Sequence, residues 1–153
     1  MMNHHRHPSN VAAPALPFVF PVRVYYEDTD AAGVTYYANY LKFIERARTE
    51  WLSAFHIELP ALERDEHTVF VVKRVEIEYL GSARLGDRLL VFTEPVKIRA
   101  AALELAQKIT LNEKVIIDSV VTLVTLNTQT WLPKRIPDVV RELIATHYPH
   151  LLS

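Results

Sequence analysis

The 153-residue chain contains no cysteine. That excludes a thiol nucleophile, a disulfide frame and a cysteine-ligated metal. It has only three glycines, too few for the glycine-rich loop that cradles a nucleotide's phosphates. Neither sign of charge is in excess: 17 Lys and Arg stand against 18 Asp and Glu. Nothing therefore points to electrostatic binding of nucleic acid. No apolar run approaches the roughly 20 residues that cross a bilayer. The N-terminus, MMNHHRHPSNVAAPALP, lacks the apolar block of a secretory signal, so the simplest expectation is a cytoplasmic protein.

What is present suits one domain of ordinary size, because half the residues are hydrophobic and can bury a core. Residues 1–17 read as a disordered tail, with His4, His5 and His7 in a polar, proline-containing leader rather than a metal site. The domain is expected over 18–153. It opens with the strand FVFPVRVYYED, rich in β-branched and aromatic residues, with Pro21 at an edge or just before the strand proper. Over 38–55 the period changes. Tyr40, Ile44, Ala47, Trp51 and Phe55 recur at helical spacing and predict one apolar stripe, with Asn39 as its N-cap. HIELPALERDEHT reads as a connection containing a short helical turn. Four strands follow at period two. Pro95 marks a bulge or an edge, and the short NEK turn makes a hairpin of the last two. The final strand, VIIDSVVTLVTLN, is apolar on both faces and needs cover on both. IPDVVRELIATH closes the chain as a short helix. The class is α+β: a curled antiparallel sheet of about five strands around one long helix. Cover for the last strand is most simply supplied by a second copy, so a homo-oligomer is expected.

The stretch DTDAAGVTYYANY, just before the long helix, is the chemically informative one. A calcium loop also begins D-x-D and places glycine sixth, as Gly33 does, but its fifth and twelfth ligands fall on Ala32 and Asn39, so two required oxygens are missing. Helix capping explains one acid. It does not explain why the loop is small and apolar at Ala31, Ala32, Gly33 and Val34, since structural loops are usually more polar. A third reading uses the same physics. A helix N-terminus offers unpaired N–H groups carrying about half a positive charge. Aimed at a carbonyl oxygen they form an oxyanion hole. A carboxylate opposite that carbonyl can attack it or activate a water. Acyl transfer or hydrolysis then needs no serine, cysteine or metal.

VRVYYEDTDAAGVTYYANYLKFIERARTEWL resembles the signature of the hotdog-fold acyl-CoA thioesterases. The resemblance is to the 4-hydroxybenzoyl-CoA thioesterase-like branch that includes the Tol–Pal-associated acyl-CoA thioesterase. It continues through a Y-x-x-x-A-x-x-x-D pattern at Tyr79, Ala83 and Asp87 and covers about residues 20–145. It implies a hotdog fold, a homodimer or homotetramer with acyl-CoA bound between subunits, and no cofactor. It also implies Asp30 as catalytic nucleophile or general base, the Tyr37 backbone N–H as oxyanion donor, Gly33 at the tight turn, and Asp28 in a structural role. This chain departs from many relatives at Ala32, where they carry Gly, and at Tyr37, where they carry His. A backbone donor survives the second change, but the substrate pocket does not stay the same.

CoA phosphates call for cations at the mouth of the site, and Arg99, Lys134 and Arg135 stand near strand ends. Tyr36 and Tyr40 are expected as pocket wall or packing, Glu45 and Arg46 as a solvated helix face, and His56 and His67 as exposed loop residues. The expected function is hydrolysis of an acyl-CoA to free acid and CoA. The alternative is a non-catalytic acyl- or lipid-binding module on the same fold. A dehydratase of this fold is disfavoured, because no histidine stands near the motif to pair with a helix-borne acid.

Overall fold

A computed structural model describes residues 13–152. The expected tail lies outside the described residues as far as residue 12, and with it His4, His5 and His7. The elements run β1 (Phe18–Arg23), α1 (Asn39–Ala54), α2 (Leu59–Glu66), β2 (Thr68–Tyr79), β3 (Arg88–Ile98), β4 (Ala102–Leu111), β5 (Lys114–Asn127) and α3 (Asp138–His147). The strands form one antiparallel sheet in the order β1-β3-β4-β5-β2.

The helical stripe read from the sequence is the one that is buried. Tyr40, Ile44, Ala47 and Trp51 are shut off from solvent, joined by Phe43 on the flank of the stripe, while Phe55 is half-buried. Opposite them the strands contribute alternate residues: Leu89 and Val91, then Leu103, Leu105 and Ile109, then Val121 and Leu123. Each large side chain so buried contributes roughly 1.5–3 kcal/mol. One row of this sheet face is polar. Thr93 pairs with Gln107, and Gln107 with Ser119, in adjacent strands, and all three are buried. Gln107 Nε2 donates to the Ile44 carbonyl and to Thr93 Oγ1, each at 2.9 Å. The sheet thus holds the middle of α1 by a hydrogen bond as well as by packing.

Pro21 lies on β1, an edge strand, where its missing N–H costs no ladder bond. Pro95 lies at the register break between Pro95 and Lys97, so the bulge is the reading that holds. The NEK turn uses left-handed Asn112 and Glu113 to close β4 onto β5. Three expectations change. The connection after α1 folds into the eight-residue helix α2, begun by Pro60 and ended by left-handed His67. The first strand stops at Arg23, because Tyr26–Asp28 turns into a 3₁₀ segment whose Asp28 carboxylate accepts the Tyr25 N–H at 2.9 Å. Asn39 is not the cap of α1. Ala38 occupies that position without a side-chain bond, and the Asn39 amide is committed to Asp28 instead.

Polarity along the strands positions the site. At one end of the sheet the chain leaves β1, Val24 N–H donates to the Asp87 carbonyl at 2.9 Å, and Tyr79 ends β2. At the other end lie the β3–β4 turn at residues 99–101 and the start of β2. α1 begins at the first end, where Tyr40 meets Tyr79, and spans roughly 24 Å to the second. There Phe55 packs on His147 at 4.8 Å.

Candidate active site

The acid loop is a closed turn. Thr29 bridges Thr35, the Tyr36 N–H donates to the Asp28 carbonyl at 2.9 Å, and the Asp30 N–H donates to the Val34 carbonyl at 2.9 Å. Gly33 makes the return at φ +80, in the left-handed region that favours glycine, and its N–H donates to the Asp30 carbonyl at 3.0 Å.

The two acids part ways in this frame. Asp28 is buried. Its Oδ2 accepts the Tyr25 N–H and its Oδ1 accepts Asn39 Nδ2 at 2.8 Å. Both oxygens are used, and the side chain ties the loop to the first turn of α1. Asp30 is exposed. Its Oδ1 accepts the Ala32 N–H at 2.9 Å, and its Oδ2 makes no hydrogen bond among the described residues. The Tyr37 and Ala38 N–H groups, at the tip of α1, also donate to nothing among the described residues.

Beneath the loop, the segment between β2 and β3 is clamped from three directions. Thr35 donates both its N–H and its hydroxyl to the Ala83 carbonyl, at 2.8 and 3.0 Å. The Ala83 N–H donates to the Tyr40 hydroxyl at 2.9 Å. Asp87 Oδ2 accepts the Arg84 N–H at 2.8 Å. Tyr79 packs edge-on against Tyr37, with ring centroids 6.0 Å apart, and lies 6.1 Å from Tyr40. Partial burial, then the neighbouring Tyr37 and Tyr40 phenols, push the Tyr79 phenol above the ordinary tyrosine value. The spaced Tyr79, Ala83 and Asp87 therefore form the floor of the acid loop.

The expected site residues do not all gather here. Tyr36 is half-exposed beside Tyr37, with centroids 5.0 Å apart. Tyr40 is core rather than pocket wall, because the Ala83 N–H and the packed rings take it inward. Arg99, Lys134 and Arg135 lie at the opposite end of the sheet. The Ile136 N–H donates to the Ala100 carbonyl and the Lys134 N–H to the Thr125 carbonyl, and Lys134 Nζ donates to the Glu66 carbonyl. Within one chain these cations cannot line the mouth of a site at Asp30. The helical span separates them, which residue order alone does not reveal. The sequence reading took Asn39 for the helix cap and missed its bond to Asp28, which becomes visible only once the loop closes. Glu45, Arg46, His56 and His67 are exposed as expected. Among the described residues no group of three or more His, Asp or Glu side chains could hold a metal ion. No helix among them is long and apolar enough to cross a membrane.

A five-stranded antiparallel sheet packed on one long helix is the architecture of the hotdog class. Residues 24–144 match the family model described as the thioesterase-like superfamily. "Acyl-CoA thioesterase YbgC" of Haemophilus influenzae is 46% identical over 95 residues, which are 62% of this chain and 70% of that protein. "Acyl-CoA thioester hydrolase YbgC" of Escherichia coli is 45% identical over 107 residues, 70% of this chain and 79% of that protein. Among solved structures, a probable thioesterase from Bartonella henselae superposes with a TM-score of 0.74 at 31% identity, covering 78% of this chain and 98% of that one. The chain belongs to the thioesterase-like superfamily, and its architecture is the hotdog fold.

Proposed function

We propose that this protein hydrolyses an acyl-CoA thioester to a free carboxylic acid and CoA. Asp30 acts as nucleophile or general base, the Tyr37 N–H at the tip of α1 polarises the thioester carbonyl, and Gly33 makes the turn that presents Asp30. The observation that carries this reading is the division of labour between the acids. Asp28 spends both oxygens inside the fold, one on the Tyr25 N–H and one on Asn39 in the first turn of α1, while Asp30 keeps one oxygen unengaged on the surface. The names of the relatives from Haemophilus influenzae and Escherichia coli agree with this activity.

The working unit is a homo-oligomer built on the free edge of β2. β1, the other edge, is short and carries Pro21, which blunts it. β2 has 12 residues and no proline. Two β2 edges paired antiparallel set the Thr68 end of one copy beside the Tyr79 end of the other. That pairing brings a second copy's Arg99, Lys134 and Arg135 end toward Asp30, where CoA phosphates need cations. It also covers the exposed Tyr37, Tyr79 and Leu80. The enzyme is a cytoplasmic one on this reading, where acyl-CoA is made and used, and it needs no cofactor.

The test is a panel of short-, medium- and long-chain and aromatic acyl-CoAs, followed by release of free thiol. Turnover that Asp30→Asn abolishes supports the reading. Ligand binding without thiol release would instead leave a non-catalytic acyl-binding module.

A further inference from the structure

The turn between β3 and β4, Arg99-Ala100-Ala101, contains no glycine, proline, asparagine or aspartate, the residues that set a tight turn from within. Its shape is imposed from outside. The Ala101 carbonyl accepts the Thr125 N–H at 3.0 Å, and the Ala100 carbonyl accepts the Ile136 N–H at 2.8 Å. The Arg99 carbonyl accepts from one donor among the described residues, Arg141 Nη2 at 2.7 Å. The same nitrogen donates to the Ala100 carbonyl at 2.8 Å.

Arg141 stands on α3, which Val140, Leu143 and Ile144 anchor in the core. Its guanidinium is unfavourably placed in every other respect. The Nε is buried and donates to nothing among the described residues, a loss for any buried donor. No carboxylate among them lies within ion-pair distance of it. Desolvation, then the field of Arg135, pull it below the ordinary arginine value, against the opposing field of Asp138. An apolar side chain here would anchor α3 without these penalties. It would not hold the Arg99 carbonyl. Arg99 itself leaves the turn with an exposed side chain, 3.8 Å from Glu104, and so open an ion pair does little to fix it. The direction of Arg99 is therefore set by the backbone of the turn.

We propose that Arg141 is a positioning residue: by gripping the Arg99 and Ala100 carbonyls it holds the β3–β4 turn so that Arg99 meets the phosphates of the nucleotide tail of CoA. CoA as the ligand rests on the thioesterase reading, whereas the clamp on the turn does not. Arg141 acts through Arg99 and not by touching a phosphate.

The test is calorimetric titration of the full chain with CoA. Arg141→Met keeps the stem beside α3 and removes the donors, and circular dichroism checks that it is folded. It is expected to lower CoA affinity about tenfold, as is Arg99→Ala. The double variant is expected to bind CoA no more weakly than Arg99→Ala alone, because residues acting in series are not additive. In turnover, Arg141→Met is expected to raise KM for acyl-CoA about tenfold at unchanged kcat. Its kcat/KM for the matching acyl-pantetheine, which carries no phosphate, is expected to equal that of the parent. A merely structural role would lower activity on both substrates alike. Unchanged CoA affinity in folded Arg141→Met, additive losses in the double variant, or no CoA binding by the folded parent overturns the proposal. Thiol release by the parent together with an unaffected Arg141→Met leaves the thioesterase reading standing. CoA binding that weakens in Arg141→Met, without thiol release by the parent, leaves the clamp standing on a non-catalytic module.

Discussion

Asn39 donates its side-chain amide to Asp28 Oδ1 across 2.8 Å, in a buried position, and so joins the acid loop to the first turn of α1. The helix begins without a side-chain cap, and the residue best suited to cap it is spent on this bond. The bond fixes where the helix tip stands relative to the loop that carries Asp30.

Removing either partner should therefore cost stability and turnover together. Asp28→Ala leaves the Asn39 amide and the Tyr25 N–H without their acceptors. Loss of about 2–4 kcal/mol is expected in chemical denaturation, from two hydrogen bonds to a charged group. Turnover should fall along with stability. A variant as stable as the parent would show that Asp28 does not hold the loop.

Tyr40→Phe removes one oxygen from the core and strands the buried Ala83 N–H. The expected cost is about 1–3 kcal/mol in the same measurement. Turnover per folded molecule should stay near that of the parent, because Tyr40 is core and not pocket wall.

Tyr37→His exchanges the ring and leaves the backbone N–H in place. Hydrolysis should persist, with a changed order of preference across the acyl-CoA panel. Complete loss of turnover in a folded variant would mean that the phenol, and not the amide, takes part in the chemistry.

Alkaline pH offers a different check. Burial pushes the Tyr148 phenol above its ordinary value, while its hydrogen bond from Trp51 pulls the other way. A phenol whose folded value exceeds its unfolded one favours the folded state while it stays protonated. That contribution is whole below the unfolded value of about 10 and is lost as pH rises from there through the folded value. Stability followed by denaturation should decline across that window, and the decline should be shallower in Tyr148→Phe.

Much of the fold was legible because burial imposes a period. The stripe from Tyr40 to Trp51 could belong only to a one-sided helix. The alternation through Leu103, Leu105 and Ile109 resembles a helix in its alanines and reads as a strand because the NEK turn and a further strand follow it. Pro21 and Pro95 marked an edge and a bulge, because neither can donate to a ladder. α2 was under-read since eight residues around Pro60 give too few turns for a pattern. The site was legible as a motif and not as a place. The chain order of Arg99, Lys134 and Arg135 does not say at which end of a sheet they stand. The partnership of Asp28 with Asn39 spans eleven positions and forms only when the Gly33 turn closes.

The central claim is that Asp30 hydrolyses a thioester held against the tip of α1. The most direct measurement is thiol release from acyl-CoA by the parent and by Asp30→Asn, each shown folded by circular dichroism. The expected result is turnover of at least one acyl-CoA, reduced by about 10²–10⁴-fold in the variant. Equal turnover in the two proteins, or none in the parent across the whole panel, would contradict it.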